Sequence, residues 1–117
     1  MKMIFNERFE FTKEFVRLAK RYRSLPRDLD EFKRVLSVRP LGAGKHFNVI
    51  ARAKSLTVVK ARFFCEYLRG SSLRIIYSYV QKMDEDGQFV FIEIYFKGEK
   101  VNEDRERIKD HLKYFGQ

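Results

Sequence analysis

The sequence predicts a single α+β domain in which a strand and two helices precede an antiparallel sheet and a last helix. Three observations carry this prediction. Apolar residues recur at helical spacing in the first third of the chain, β-branched and aromatic residues dominate residues 56–97, and 117 residues with 44% hydrophobic content fit one core. The predicted order is β-α-α-β-β-β-α within one domain over residues 1–117.

The first third of the chain is predicted to form a short strand and a helical hairpin. Residues 2–9 alternate in character and are rich in Ile and Phe, which is typical of a strand. Thr12 is the predicted N-cap of the first helix. The inward face of this helix carries Phe15, Leu18, Ala19 and Tyr22. Pro26 disfavours helical geometry in the residue before it, so the first helix should end near Ser24 and a second should begin at Pro26.

The middle of the chain changes from a loop to a series of strands. The stretch from Arg39 to Ser55 has no clear period and contains proline and glycine, so an exposed loop with some local structure is predicted there. Strands are then predicted over Leu56–Tyr67, Leu73–Lys82 and Gln88–Lys97.

Turn and cap signals complete the predicted order. The last two strands should be joined around Met83–Gly87, where Asp86-Gly87 is a strong hairpin signal. A third helix is predicted over Asn102–Phe115, with Asn102 as its cap. The three strands therefore form an antiparallel meander.

The composition excludes several classes of protein. One cysteine, Cys65, makes no internal disulfide, and two histidines with one cysteine do not suggest a zinc site. No stretch approaches the roughly 18 apolar residues of a membrane span, and the start of the chain carries charges where a signal peptide would be apolar. We expect a cytoplasmic protein without metal, cofactor or membrane contact.

Positive charge is concentrated in the middle of the chain. Residues 40–82 contain eight Lys or Arg and one acid, Glu66, whereas residues 83–117 contain six bases and nine acids. Such a segment, interleaved with aromatic residues, predicts a surface that binds a polyanion such as nucleic acid. The alternative is a solvated face that keeps the protein soluble.

A smaller set of residues is a candidate for chemistry. Lys60 and Arg62 share one face of their strand, about 7 Å apart, and Arg74 on the next strand would join them. Three cations of this kind hold a phosphodiester and neutralise charge that develops during in-line attack. Lys97 and Lys100 would close the site from the other side. The alternative role of each of these cations is to keep the protein soluble.

Several residues outside this set, most of them aromatic residues or histidines, are also considered for a functional role. Tyr95 shares a predicted face with Phe91 and Glu93, and it is a candidate to stack on an RNA base. Tyr114 and Lys54 are further candidates for substrate binding. Two other tyrosines, Tyr77 and Tyr79, have the parity of core residues, and two lone histidines, His46 and His111, lack an evident partner.

Two segments of this chain resemble a known family. Residues 59–70, which read VKARFFCEYLRG, are followed by Leu73–Tyr77. Residues 91–100 are followed by residues 102–108. These segments resemble the strands and last helix of RelE/ParE-superfamily toxins. The resemblance implies the RelE-like βααβββ(α) fold, an α+β architecture whose antiparallel meander packs on the N-terminal helical hairpin.

The resemblance also implies a function. RelE-like proteins are toxins of type II toxin-antitoxin modules, held in higher-order complexes by a cognate antitoxin, and they cut messenger RNA on the ribosome without metal by making a ribose 2′-OH attack the adjacent phosphate. Lys60, Arg62 and Arg74 match the catalytic basic residues of that branch. A lysine base has an ordinary pKa of about 10.4, so the pKa of Lys60 should be depressed by Arg62 and Arg74.

Two departures keep other functions open. Gly98 stands where RelE-like enzymes carry a further Arg, with Lys97 and Lys100 as replacements, and Asp104 stands where a tyrosine is expected. The alternatives are a ParE-like inhibitor of DNA gyrase, or a basic module that binds RNA or an antitoxin without catalysis.

Overall fold

The computed structural model describes residues 2–81 and 86–115, which form an α+β fold. Three helices and a five-stranded mixed sheet make up this part of the chain. The strands are β1 (Met3–Glu7), β2 (Phe47–Ala53), β3 (Leu56–Cys65), β4 (Gly70–Gln81) and β5 (Gly87–Phe96). The helices are α1 (Phe9–Arg21), α2 (Leu25–Val38) and α3 (Arg105–Phe115), and a single 3-10 turn, Gly44–His46, precedes β2.

The sheet has the strand order β1-β5-β4-β3-β2. Strands β2 to β5 form an antiparallel meander, as predicted for its last three strands. The first strand instead runs parallel to β5, with Met3 opposite Gly87. A parallel neighbour requires a crossover connection, and here α1, α2 and the strands β2 to β4 lie between the two strands along the chain.

Helices α1 and α2 cover one face of the sheet and form the main core with it. Phe11 and Leu18 of α1 and Phe32 of α2 pack in one buried cluster with Ile75 and Tyr77 of β4. The helical spacing of these apolar residues places them on the side that faces the sheet. The predicted hairpin of helices against the meander is therefore confirmed.

Helix α3 packs on the opposite face and covers only part of it. Its Ile108 lies in a second buried cluster with Val58, Ile76 and Ile92 of the sheet. Beyond that cluster, β3 presents the half-buried Lys60 and the exposed Arg62 on the same face. None of the helices in the described ranges is long and apolar enough to cross a membrane.

The prediction of a loop from Arg39 to Ser55 is wrong for the residues that form β2. Phe47 to Ala53 pairs with β3, from Phe47 opposite Ala61 to Ala53 opposite Leu56. A bulge between Val49 and Ala51 interrupts the register, and the extra residue breaks the two-residue alternation by which a strand is recognised. The order is therefore β-α-α-β-β-β-β-α, one strand more than predicted.

Several predicted boundaries also need correction. Thr12 lies inside α1, which begins at Phe9, and its backbone N–H donates to the carbonyl of Arg8 (3.1 Å). Asn102 precedes α3 by three residues and is not its cap. Asp104 caps this helix instead, because its Oδ1 accepts a hydrogen bond from the backbone N–H of Arg107 (3.0 Å). The turn predicted at Met83–Gly87 lies mostly outside the described residues.

The prediction that two tyrosines of β4 lie in the core is confirmed. Tyr77 is fully buried and Tyr79 nearly so. The Tyr77 hydroxyl donates to the backbone carbonyl of Pro40 (2.8 Å). This hydrogen bond fastens the segment after α2 to the sheet.

Candidate functional site

An open cleft lies on the sheet face opposite α1 and α2, next to the start of α3. It has a volume of about 520 Å³. Strands β2, β3 and β4 form its floor, and the segment from β5 to α3 forms its wall. The lining residues are Asn48, Ile50, Lys60, Arg62, Arg74, Lys97, Val101, Asn102, Glu103 and Arg105.

Strand geometry brings together the three basic residues predicted on β3 and β4. Lys60 and Arg62 point away from the core, because the intervening Ala61 is buried in the cluster beneath α1 and α2. Arg74 lies directly opposite Arg62 on β4. Like charges in directly opposite positions of a sheet are unfavourable, so this pair is an arrangement suited to an anion.

Arg74 is buried and held by backbone groups. Its Nη1 donates to the carbonyl oxygens of Ser71 (2.6 Å) and Leu73 (3.1 Å). Burial lowers the pKa of its guanidinium group, and the charge of Arg62 lowers it further. Within residues 2–81 and 86–115, neither Arg62, Arg74 nor Lys97 forms an ion pair with a carboxylate. The charges of these three cations remain available to a ligand.

Lys60 differs from its neighbours because it has a carboxylate partner. Its Nζ donates to Oε1 of Glu103 at 2.9 Å, and the Glu103 side chain is only 7% exposed. This hydrogen bond raises the pKa of Lys60. The expectation that Arg62 and Arg74 depress that pKa is therefore wrong, since the hydrogen bond to Glu103 outweighs the lowering by burial. Burial acts to raise the pKa of Glu103, but the hydrogen bond from Lys60 brings it below its usual value.

The two lysines predicted after β5 have different environments. Lys97 is exposed, and it lines the cleft. Lys100 does not line it, because its ammonium group forms an ion pair with Glu93, a fully buried residue of β5. Glu93 also accepts a hydrogen bond from the backbone N–H of Asp104 (2.8 Å). Lys100 thus neutralises a buried carboxylate and fixes the segment that leads into α3.

Tyr95 lies on the face of the sheet that carries the cleft, but it is buried and not part of the surface. It is opposite Arg74 and only 4% exposed, so its ring is not open to stacking by a base. Burial raises the pKa of its hydroxyl, which has no hydrogen-bond partner of good geometry among the described residues. The predicted face shared with Phe91 is also wrong: β5 has one extra residue between Phe91 and Glu93 opposite β4, which sends Phe91 into the main core.

Two other predicted residues lie away from the cleft. Lys54 is in the turn between β2 and β3, where it has a positive φ of 53°. Tyr114 is exposed near the end of α3, beside Lys113. Neither lines the cleft formed by Lys60 and Arg62.

Both histidines also lie outside the cleft. His111 is fully buried, with Nε2 at 2.9 Å from Ser78 Oγ and Nδ1 at 3.3 Å from Arg8 Nη1. His46 is exposed before β2. A role for either residue as acid or base at the cleft is therefore not supported by its position.

The two departures from the family pattern have local structural reasons. A Cβ added at Gly98 would lie 2.3 Å from the ring of Phe96, so a larger residue requires that ring to move. Asp104 caps α3. Glu103 therefore lines the cleft, and Asp104, the next residue, caps the helix.

Glu103, Asn48 and Arg105 are residues of the cleft that the sequence did not indicate. Asn48 lies opposite Lys60, on the strand that was predicted to be a loop. Glu103 is 43 positions from Lys60, and no local pattern links the two. The alternation of Phe47, Asn48 and Val49 is a local signal for the start of β2, before the bulge at Ile50.

No protein-family model, curated protein or solved structure matches this chain. Function is therefore inferred from the cleft and from the sequence resemblance.

Proposed function

We propose that this chain is the toxin of a type II toxin-antitoxin module and that it cleaves messenger RNA on the ribosome. One observation carries the proposal: Arg62, Arg74 and Lys97 line one open cleft without carboxylate partners among the described residues, next to the Lys60–Glu103 pair. The helical hairpin followed by a meander is compatible with the RelE-like fold, and assignment to that fold is part of the proposal.

The cleft offers the charge that RNA cleavage requires. Attack of a ribose 2′-OH on the adjacent phosphorus produces a phosphorane with two negative charges, and it then releases the 5′-oxygen of the next nucleotide. Preorganised cations lower the energy of such a transition state by several kcal/mol in a site that excludes water (about 3 kcal/mol for one strong donor). Arg62, Arg74 and Lys97 would bind the non-bridging oxygens.

The Lys60–Glu103 pair supplies both proton transfers in this proposal. Glu103 accepts the proton of the 2′-OH as the O–P bond forms. Lys60, kept as an ammonium ion by its raised pKa, donates a proton to the leaving 5′-oxygen as its bond to phosphorus breaks. The 2.9 Å contact between the two groups then allows the proton on Glu103 to return to Lys60. The products are a 2′,3′-cyclic phosphate and a 5′-hydroxyl.

The proposed binding partners of the protein follow from the positive charge of the cleft. Messenger RNA within the ribosome supplies the phosphodiester, and a cognate antitoxin with an acidic segment would neutralise the cleft in the resting cell. Electrostatic attraction of this kind is salt-dependent. Binding of either partner should therefore weaken steeply as the salt concentration rises.

Induced expression tests the proposal. Wild-type protein should arrest growth and produce cleavage stops in primer extension on translated messages. The Lys60→Ala/Arg62→Ala and Arg62→Ala/Arg74→Ala variants should lose both effects while remaining folded. Lys13→Ala/Lys20→Ala removes two exposed lysines of α1 and should behave as wild type.

Other results would decide against the nuclease. Inhibition of DNA gyrase supercoiling by the purified wild type, with translated messages left intact, would assign the chain to the ParE-like alternative. Growth arrest that survives both double substitutions would place the toxic surface elsewhere.

A module that binds RNA or an antitoxin without catalysis is the second candidate. The neutralised Lys60 and the buried Tyr95 favour it, since neither offers a free base or a stacking ring. Such a module would bind ribosomes or RNA with the same dependence on Arg62 and Arg74. It would leave no stops in primer extension.

A further inference from the structure

A second basic surface, rich in aromatic residues, lies at the end of the sheet. It occupies a depression of about 770 Å³ where the turn between α1 and α2 meets the turn between β3 and β4. Three arginines and two rings dominate its lining, and we call these residues the arginine-aromatic surface. They are Arg23, Arg27, Phe64, Tyr67 and Arg69.

Both rings of this surface are exposed. Phe64 is 56% exposed and Tyr67 is 57% exposed. Exposed rings close to guanidinium groups are the typical composition of surfaces that bind single-stranded nucleic acid, because bases stack on the rings and arginine binds the phosphates.

The surface carries a net positive charge. Its one carboxylate, Glu66, pairs with Arg27 at 2.9 Å. Arg23 and Arg69 form no ion pair within the described ranges. Two guanidinium groups are therefore free to bind an anion.

Hydrogen bonds hold this surface in place before any ligand binds. The backbone N–H of Glu66 donates to Oδ2 of the buried Asp28 (3.2 Å), and the N–H of Tyr67 donates to Ser24 Oγ (2.8 Å). The Ser24 hydroxyl in turn donates to Asp28 (2.7 Å). These contacts fix the β3–β4 turn to the start of α2, which lowers the entropy cost of binding.

The arginine-aromatic surface and the cleft each share lining residues with a third groove, which is also lined by α2. This groove has a volume of about 410 Å³. Arg62 lines both the cleft and this groove, while Arg27 and Phe64 line both the groove and the arginine-aromatic surface. Lys60 and Phe64 are four residues apart on β3, which corresponds to about 13 Å along a strand.

We infer that the arginine-aromatic surface binds unpaired nucleotides of a single-stranded nucleic acid, on one side of the phosphate held in the cleft. This inference rests on the proposed function in naming the strand as the substrate of the cleft. Bases would stack on Phe64 and Tyr67, and Arg23 and Arg69 would bind the phosphates between them.

Fluorescence anisotropy with a labelled single-stranded RNA 12-mer, 2′-O-methylated so that it resists cleavage, tests the stacking. Phe64→Ala/Tyr67→Ala should weaken binding by roughly 30-fold or more and leave the salt dependence unchanged. Phe64→Ala alone should show a smaller loss and guards against misfolding of the double variant. Phe9→Ala removes a ring of α1 that is 73% exposed and should bind as wild type.

The same assay at several salt concentrations tests the charges. Arg23→Ala/Arg69→Ala should lower the slope of log K against log salt by about 1.4, since each phosphate contact on a single strand contributes about 0.7. Lys13→Ala/Lys20→Ala removes the same charge from α1 and should change the slope by less than half as much. Equal slopes for the two variants would overturn the inference.

Competitors distinguish the ligand. Single-stranded RNA or DNA should displace the labelled strand, whereas duplex RNA of equal length should compete at least tenfold less well. Polyglutamate that displaces the strand equally well, with no effect of the ring substitutions, would show a general polyanion surface and refute stacking. The 2′-O-methylated oligonucleotide is not cleaved, so this assay measures binding separately from nuclease activity. Binding that depends on the two rings, in a protein that yields no primer-extension stops, would refute the proposed nuclease and leave the inferred binding surface standing.

Discussion

The buried His111 makes the stability of this protein depend on pH. Its Nδ1 lies 3.3 Å from the Arg8 guanidinium, which only donates, so Nδ1 accepts this hydrogen bond. The proton of the neutral ring is then on Nε2, which donates to Ser78 Oγ at 2.9 Å. Protonation of Nδ1 would remove the bond from Arg8 and bring two cations together in a buried site.

The pKa of His111 is accordingly lowered from 6.5 to about 4. Burial is the main cause and the charge of Arg8 adds to it, while Asp110 and Glu10 oppose the shift. Between these two pH values the unfolded chain binds a proton at this residue and the folded chain does not. The contribution of His111 to the free energy of unfolding is therefore fully present above about pH 6.5 and is lost as the pH falls toward 4.

The size of the effect follows from the shift. Each unit of pKa difference corresponds to about 1.4 kcal/mol, so the full loss is about 3 kcal/mol, of which about 2 kcal/mol falls between pH 7 and pH 5. Urea unfolding at a series of pH values measures this loss in the wild type. His111→Gln should be less stable at pH 7, and over this window its free energy of unfolding should fall by about 2 kcal/mol less than that of the wild type.

His46→Gln is the matched control, because it removes the exposed histidine. A wild-type slope that persists in His111→Gln would refute the explanation. An imidazole resonance of His111 that titrates near pH 6.5 in the folded protein would refute it independently.

Three further substitutions test other contacts. Tyr77→Phe removes the hydrogen bond to the carbonyl of Pro40 and should lower the free energy of unfolding by about 1 kcal/mol in urea titrations. Asp104→Ala removes the cap of α3 and should cost about 1 kcal/mol, with protection from hydrogen exchange reduced in that helix first. Glu103→Gln removes the carboxylate partner of Lys60, so the pKa of Lys60 should fall, as measured by NMR titration of its side-chain resonances; an unchanged pKa would contradict the ion pair.

The sequence predicted most elements because their signals are local. The helical spacing of Phe15, Leu18 and Tyr22 and the alternating residues of β3 depend on neighbours a few positions apart. Strand β2 was missed because a bulge at Ile50 breaks its alternation. The extra residue of β5 inverted the predicted side of Phe91 for the same reason.

The cleft was predicted only in part. Lys60, Arg62 and Arg74 follow from strand parity and pairing. The Lys60–Glu103 contact joins residues 43 positions apart, and the sign of the pKa shift at Lys60 depends on that contact. The electrostatics of the cleft therefore required the tertiary structure, although its cations did not.

The parallel pairing of β1 with β5 has a consequence for how the chain folds. The backbone N–H of Lys2 donates to Asp86 Oδ1, 84 positions along the chain, and in the part of the chain that the structure describes β1 pairs only with β5. Contacts between such distant residues close long loops and slow folding. During synthesis the meander can begin to pair as soon as β2 and β3 have emerged, whereas β1 must wait until β5 is complete. The first strand made is therefore among the last to join the sheet.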